Sequence, residues 1–193
     1  MERTLIVLKP DAVSRGIVGD IIARFERIGL KISGMKMVVP DEDLINRHYP
    51  TDRREFIEGM GNKTLANYEE QGIDPAAEFG HADAYKIGLE IKKWLIDYWT
   101  SGPAIVMVFE GPHAIELARK ITGHTLPLKA QPGTIRGDYS FDSSALANKG
   151  KRPIRNLVHA SGEKTEADHE IALWFKPEEL FDYRTIHQHH MVS

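Results

Sequence analysis

The sequence contains no cysteine, so disulfide frameworks, thiol catalysis and cysteine-based zinc sites are excluded. It also has little excess of charge of one sign, because 25 lysines and arginines stand against 28 aspartates and glutamates, for a net charge of −3. This balance argues against a generally basic nucleic-acid-binding surface. A ligand that carries phosphate would therefore have to be bound by a local cluster of cations.

Long apolar runs are missing as well. The first such run, in "MERTLIVLKPDAV", is too short for a signal peptide or a membrane span. We therefore expect a cytoplasmic protein that has no membrane partner. With 193 residues, 41% of them hydrophobic, the chain is long enough for one domain with its own core.

Short apolar runs alternate along the chain with segments of helical periodicity. Strands are predicted at 4–9, 31–40, 104–109 and 153–160, and helices at 16–30, 41–49, 82–102, 112–123 and 165–175, the last one capped by Thr165. This alternation favours an α/β arrangement in which helices cover a small sheet. Two polar, turn-prone stretches, at about 59–86 and 139–152, are interpreted as insertions into this single domain.

Two apparent ligand motifs are weak. "GMGNKT" at 59–64 is not a Walker A loop, because Lys63 follows an asparagine and no clear strand precedes it. The tail "HQHHMVS" offers three histidines as metal ligands, but such histidines near a chain terminus more often bind adventitious metal or none. They are His187, His189 and His190.

Three cations lie at the ends of predicted elements. Lys9 ends the first strand, Arg119 lies late in a helix, and Arg136 lies in a tight segment bounded by glycines. Each one alone is best interpreted as a solvated surface cation. Together they could bind phosphate, since arginine offers a planar fork of donors and lysine a point charge. Sequence spacing does not show whether they converge.

His159 lies at the end of the last predicted strand, just before the helix that follows it. In isolation it would be interpreted as a packed or surface histidine. Its surroundings favour a different interpretation. The segments "RTLIVLKPDAVSRGIVGDIIARFERIGLKISGMK", "SGPAIVMVFEG", "TGHTLPLKAQPGTIRGDYS" and "NLVHASGEKTEADHEIALWFKPEEL" occur in this order. Together, over roughly three-quarters of the chain, they resemble the nucleoside diphosphate kinase family.

The resemblance implies a phosphotransferase. His159 matches the family's nucleophile, which takes the γ-phosphoryl group of a nucleoside triphosphate such as ATP and passes it to a nucleoside diphosphate in a ping-pong scheme. Glu170 matches the glutamate that holds the other ring nitrogen, and Ser161 a hydroxyl that supports Glu170. The resemblance assigns binding of the phosphates and the sugar to Lys9, Tyr49, Arg119, Thr125, Arg136 and Asn156.

The family clamps the base between a phenylalanine and an aliphatic side chain. Phe56 is the nearest candidate for that phenylalanine, with Trp94 and Tyr98 as alternatives, because the insertion that follows Tyr49 disturbs the register. Nucleotides of any base are therefore the expected partners.

The chain departs from the family pattern Asn-x-x-His-Gly-Ser-Asp at two positions. Ala160 replaces the glycine, and Gly162 replaces the aspartate. The methyl group of Ala160 is strained only if its φ is positive. The lost aspartate removes a carboxylate near the site, so its contacts must be made by another group or be absent.

The resemblance also implies the fold and the assembly. We expect a ferredoxin-like sandwich, in which a four-stranded antiparallel sheet carries helices on one face. Mg²⁺ is expected on the nucleotide phosphates, held mainly through phosphate oxygens and water, with no metal site made by the protein alone. A homo-oligomer, either a tetramer or a hexamer, is expected, with "WLIDYW" and the C-terminal segment as contact candidates.

Two other function classes fit the sequence less well. A catalytically silent nucleotide-sensing or partner-binding module would lack His159 or one of the cations Lys9, Arg119 and Arg136, and this chain keeps all of them. A DNA-binding protein or nuclease would need a basic face, which the net charge does not indicate. No specific nucleic-acid partner is therefore predicted.

Overall fold

The centre of the molecule is a four-stranded antiparallel sheet in the strand order β2-β3-β1-β4. The computed structural model describes residues 1–191. The strands are β1 (Glu2–Leu8), β2 (Lys31–Val38), β3 (Ala104–Gly111) and β4 (Val158–Ala160). With helices in the connections, this order is the predicted ferredoxin-like arrangement, which is confirmed.

Helices form most of the connections. Their bounds are α1 Pro10–Ser14, α2 Val18–Glu26, α3 Glu42–His48, α4 Arg54–Glu70, α5 Pro75–Phe79, α6 Ala84–Trp99, α7 Ala114–Thr122, α8 Ile135–Tyr139, α9 Ser144–Lys149, α10 Lys164–Trp174 and α11 Ile186–Met191. Within residues 1–191, no helix has both the length and the apolar character that crossing a bilayer requires.

Helices cover both faces of the sheet, so the expectation that they lie on one face is wrong. Leu5 and Val7 point to a core that α3, α6 and α10 share, whereas Ile6 and Leu8 point to a core that α2 and α7 share. Because successive side chains of a strand point to opposite faces, a strand buried on both faces has a continuous apolar run. The buried run Thr4–Leu8 has this pattern.

The last strand is shorter than predicted. Only Val158–Ala160 pair with β1, rather than the whole of 153–160. Leu157, just before the strand, has a φ of +68°, which ends the extended conformation. The following helix begins at Lys164 after Glu163, so Thr165 is not its cap, and the Thr165 hydroxyl donates to the Glu163 side chain.

The stretch 59–86, predicted to be turn-prone, is mostly helical. Its first part continues α4, and α5 lies within it. α4 packs along α6 as a helical hairpin, and α4 also contacts α9, which lies in the other predicted insertion. The "WLIDYW" segment is largely internal, since Trp99 is fully buried. Trp94 and Leu95 are only partly buried and Asp97 is exposed, so a subunit contact through this segment stays a prediction.

Candidate active site

His159 is the central residue of β4, where it pairs with Val7 of β1. Its neighbours Val158 and Ala160 pack into the core on the α2–α7 side. Strand alternation therefore directs the His159 side chain to the other face, toward α3, α6 and α10. The chain reaches this strand through Leu157, whose N–H donates to Asp11 Oδ2 over 3.1 Å and whose carbonyl accepts from the backbone of Lys9 over 2.8 Å.

The imidazole of His159 is held from behind by α10. Its Nε2 lies 2.8 Å from Oε1 of Glu170, which is 2% exposed. The Ser161 hydroxyl donates to the other carboxylate oxygen, Oε2, over 2.7 Å. A carboxylate that accepts the Nε2 proton fixes the tautomer and leaves the Nδ1 lone pair available. The predicted trio of His159, Glu170 and Ser161 is therefore brought together.

The site is buried, and this sets the charge of the ring. Desolvation, together with the nearby cation Lys9, lowers the pKa of His159 to about 3. The imidazole is therefore neutral near pH 7, which is the form with a nucleophilic nitrogen. Burial also raises the pKa of Glu170, while His48 and the Ser161 hydroxyl act in the opposite direction.

His48, which the sequence reasoning did not select, belongs to the same group. Its ring meets the His159 ring edge-on at a centroid distance of 4.6 Å, and its Nδ1 lies 3.5 Å from Glu170 Oε1. The indole N–H of Trp174 donates to that same Nδ1 over 3.2 Å. Burial lowers the pKa of His48 to about 3, so a second neutral imidazole supports the first. The feature of the sequence that could have indicated His48 was its place beside Tyr49 in "RHYP".

Lys9 is buried beside the rings of α6. Its Nζ donates to Asn156 Oδ1 over 2.7 Å and lies 5.5 Å and 5.2 Å from the ring centroids of Tyr98 and Trp99. Desolvation lowers the pKa of Lys9 to about 7, and the charge of Arg136 acts in the same direction. A phosphate that enters the site would restore the full charge of this lysine.

Arg136 forms hydrogen bonds with several segments around the site. Its guanidinium donates to the carbonyls of Asn156, Gly123 and Val158 over 3.1, 2.9 and 2.6 Å. Burial lowers its pKa to about 10, so it stays charged at neutral pH. An arginine has five N–H groups, of which these contacts use three. The Asn156 amide in turn donates to the carbonyl of Thr125 over 3.0 Å.

Arg119 and Thr125 are exposed and line one pocket of about 730 Å³, together with Gly123 and Thr134. Arg119 comes within 3.5 Å of the carbonyl oxygen of Ala160, next to His159. The three predicted cations therefore approach β4 from three different elements. Their convergence, which sequence spacing left open, is a feature of the structure.

Among the candidate aromatic residues, Phe56 is the one beside Tyr49. Their rings stack at a centroid distance of 6.3 Å, and the Tyr49 ring meets the His159 ring edge-on at 6.4 Å. Burial raises the pKa of Tyr49, so its hydroxyl stays protonated. Tyr98 is buried beneath Lys9, and Trp94 stacks on Phe79 of α5 instead.

A resident metal site does not fit the donors that the protein offers. Within residues 1–190, one group of three potential ligands lies within 4.8 Å, namely His48, His159 and Glu170. These atoms already contact one another, and two of the three are ring nitrogens, whereas Mg²⁺ prefers oxygen ligands. The histidines of the tail form no such group in this part of the chain.

The two departures from the expected motif are accommodated. Ala160 lies in β4 without a positive φ, so its methyl group causes no backbone strain. The N–H of Gly162 donates to the carboxylate of Glu166, in the first turn of α10. A carboxylate is thus present at this position, although it comes from another residue.

Comparison with known proteins agrees with the geometry. A family model described as nucleoside diphosphate kinase matches residues 2–62 and 86–180, so 63–85 lie outside both matched segments. A nucleoside diphosphate kinase from Pyrobaculum aerophilum is 50% identical over 182 residues, which are 94% of this chain and 99% of that protein.

Solved structures are similar as well. The crystal structure of an NDP kinase from Pyrobaculum aerophilum matches with a TM-score of 0.89 and 49% identity, over 94% of this chain and 99% of that one. A nucleoside diphosphate kinase from Borrelia burgdorferi, with bound vanadate and ADP as a transition state mimic, matches with a TM-score of 0.77 and 34% identity. That match covers 98% of this chain and 95% of the other.

Proposed function

The chain belongs to the nucleoside diphosphate kinase family and is an enzyme of phosphoryl transfer between nucleotides, and we propose that His159 carries the phosphoryl group. The observation that carries this proposal is the 2.8 Å contact between His159 Nε2 and Glu170, beside the buried cations Lys9 and Arg136. The alternative of a catalytically silent module is not favoured, because the chain retains each of these groups.

The chemistry follows from the free ring nitrogen. Nδ1 of His159 attacks the γ-phosphorus of a nucleoside triphosphate, and the bond between that phosphorus and the β–γ bridging oxygen breaks. The diphosphate leaves with the bond electrons, and the phosphoryl group stays on the histidine. Glu170 holds the ring through Nε2 and balances the charge that the ring gains. A second diphosphate reverses the steps in the same site.

The polar and charged groups around the His159 ring would bind the phosphates. Phosphoryl transfer depends mostly on placement and on positive charge, which Lys9, Arg119 and Arg136 supply, with Asn156 and Thr125 as neighbours. Mg²⁺, arriving with the nucleotide, would neutralise charge on the phosphate oxygens. The vanadate and ADP bound to the kinase of Borrelia burgdorferi support phosphoryl transfer from a nucleotide on this fold.

Tyr49 and Phe56 complete the proposed nucleotide site. The Tyr49 hydroxyl would serve the phosphates or the sugar, and Phe56, stacked on Tyr49, would contact the base. A ring that stacks on a base reads its face and leaves the hydrogen-bonding edge unread, so discrimination between bases would be low.

The whole chain would act as one domain of a homo-oligomer in the cytoplasm. Edge strand β2 supports the assembly, because Met35, Met37 and Val39 are 56%, 59% and 66% exposed along one side of the chain. At the start of this edge the carbonyl of Ser33 accepts from the backbone N–H of Phe181, so association with another strand would use the apolar part from Met35 onward. Light scattering should show an oligomer, whose dissociation is expected when Met35 and Met37 are both changed to lysine. A monomeric wild type would contradict the assembly.

Labelled ATP tests the central proposal. We expect the purified protein to gain a phosphate that is labile in acid and stable in alkali, and to lose it when a nucleoside diphosphate is added. His159→Ala should remove the label, whereas His81→Ala, a control at the insertion, should keep it. Equal labelling of wild type and His159→Ala would show that another residue carries the phosphate.

A further inference from the structure

The glycine at position 162 is not required by its backbone conformation. Its φ is not positive, so another residue could adopt it. A side chain there would meet Glu166, because a Cβ on Gly162 would lie 2.6 Å from Oε2 of that residue, at the exposed end of a flexible side chain that would have to move. The same carboxylate accepts the N–H of Gly162. Glu166 therefore fills the volume that a longer side chain at position 162 would need.

The resembled motif has an aspartate at this position, directly after Ser161. This chain has lost that carboxylate and supplies another one from the first turn of α10. We infer that Glu166 replaces the missing aspartate as a positioning residue, which holds the turn after His159 in place. This inference rests on the proposed role of His159.

The turn matters because of what it positions. Ser161, fully buried, precedes Gly162, and its backbone N–H donates to the carbonyl of Leu5 over 3.2 Å. Its hydroxyl reaches Glu170, which holds His159. A displaced Gly162 would therefore move Ser161, and the imidazole would lose part of its support. Hydrogen bonds from neighbouring residues of this kind orient the groups that do the chemistry.

Glu166 could instead act only by stabilising α10, and this role differs from positioning the turn after His159. An acidic residue in the first turn of a helix stabilises that helix by its interaction with the helix dipole, whether or not the residue contacts the site. Such a role would lower the stability of the fold without a selective effect on turnover. Glu163 precedes the same helix and has the same charge, and its side-chain oxygen accepts from Thr165. It is therefore the matched control for the charge change.

Truncation of Glu166 is the first test. We expect Glu166→Ala to lower kcat by about fivefold, the order expected for the loss of one hydrogen bond, with the KM for nucleotides unchanged. Glu166→Gln, which keeps an acceptor oxygen, should retain most of the rate. Glu163→Ala should leave kcat unchanged. Equal kcat in Glu166→Ala and wild type, or equal losses in Glu166→Ala and Glu163→Ala, would overturn the inference.

Exchange of the two positions is the sharper test. Gly162→Asp alone should lower kcat, because its side chain and that of Glu166 compete for one volume and repel each other. Gly162→Asp combined with Glu166→Ala should recover toward the wild-type kcat, with melting temperatures as a control for folding. Additive losses in the double variant would overturn the inference. Lack of labelling on wild-type His159 would instead overturn the proposed function.

Discussion

The segment around His159 and the α4–α6 hairpin are held together by different means. At the site, buried polar groups bind one another and the backbone, as the three carbonyl contacts of Arg136 show. Between the helices of the hairpin, backbones approach closely. A Cβ on Gly61 would overlap the carbonyl oxygen of Ala84, and a Cβ on Gly88 would overlap that of Ile57.

The difference predicts two kinds of vulnerability. Buried polar groups are costly to leave without partners, so the site should be sensitive to the loss of a charge or a donor. A close helix contact leaves no room for an added methyl group, so the hairpin should be sensitive to volume. The comparison would be wrong if the site tolerated the loss of a charge or if the hairpin tolerated an added methyl group.

The largest effect is expected at Arg136. Changing it to methionine removes a buried cation and leaves three carbonyls without their donor. By comparison with the loss of one transition-state donor in other enzymes, the rate should fall by about 10²–10³-fold, or about 2.7–4 kcal/mol. The kcat/KM for phosphoryl transfer from ATP to GDP measures this change, and the melting temperature should fall as well.

The control is Arg155, which is exposed and lies next to Asn156. Arg155→Met makes the same change of charge close to the same loop, and we expect it to leave kcat/KM within a small factor of wild type. Similar losses in both variants would mean that net charge, and not the fastening of the site by Arg136, sets the rate.

The next largest effect is expected where a side chain is enlarged in the α4–α6 hairpin. Gly61→Ala should destabilise the protein by about 1–3 kcal/mol, because the helices must separate to admit the methyl group. Gly59 lies in the same helix with open space at its Cβ position. Gly59→Ala should instead stabilise by about 0.5–1 kcal/mol. Urea unfolding of both variants measures the contrast, and a shift of the same sign in both would contradict the proposed close contact.

The site could be predicted from the sequence where recognisable segments carry it. Lys9 follows a strand with a clear apolar run, and His159 lies in the last strand as predicted, whereas Asn156, predicted within the strand 153–160, lies before β4. Their convergence follows from the antiparallel pairing of β1 with β4, which places Val7 opposite His159. That pairing is a property of the whole fold, and local patterns do not contain it.

His48 and the hairpin show what could not be predicted. His48 is contacted by Trp174, 126 residues further along the chain, so its place beside Tyr49 in the sequence indicates its neighbourhood but not its contacts. In the hairpin, Gly59 and Gly61 both resemble turn residues in the sequence, and polar residues weaken the helical periodicity of α4. Only the position of α6 shows that Gly61 is a packing residue inside a helix.

The smallest effect is expected in the protonation of Lys9. Burial lowers the pKa of Lys9 to about 7. At pH 8.5 the neutral form of its amine therefore outnumbers the charged form by about thirty to one in the free enzyme. A bound phosphate raises that pKa, so ADP binding should take up close to one proton at pH 8.5, and its apparent affinity should fall as pH rises above 7. Calorimetry in two buffers of different ionisation enthalpy measures the uptake. Lys9→Met should abolish it, whereas binding heats that are independent of the buffer in wild type would mean that Lys9 is already charged.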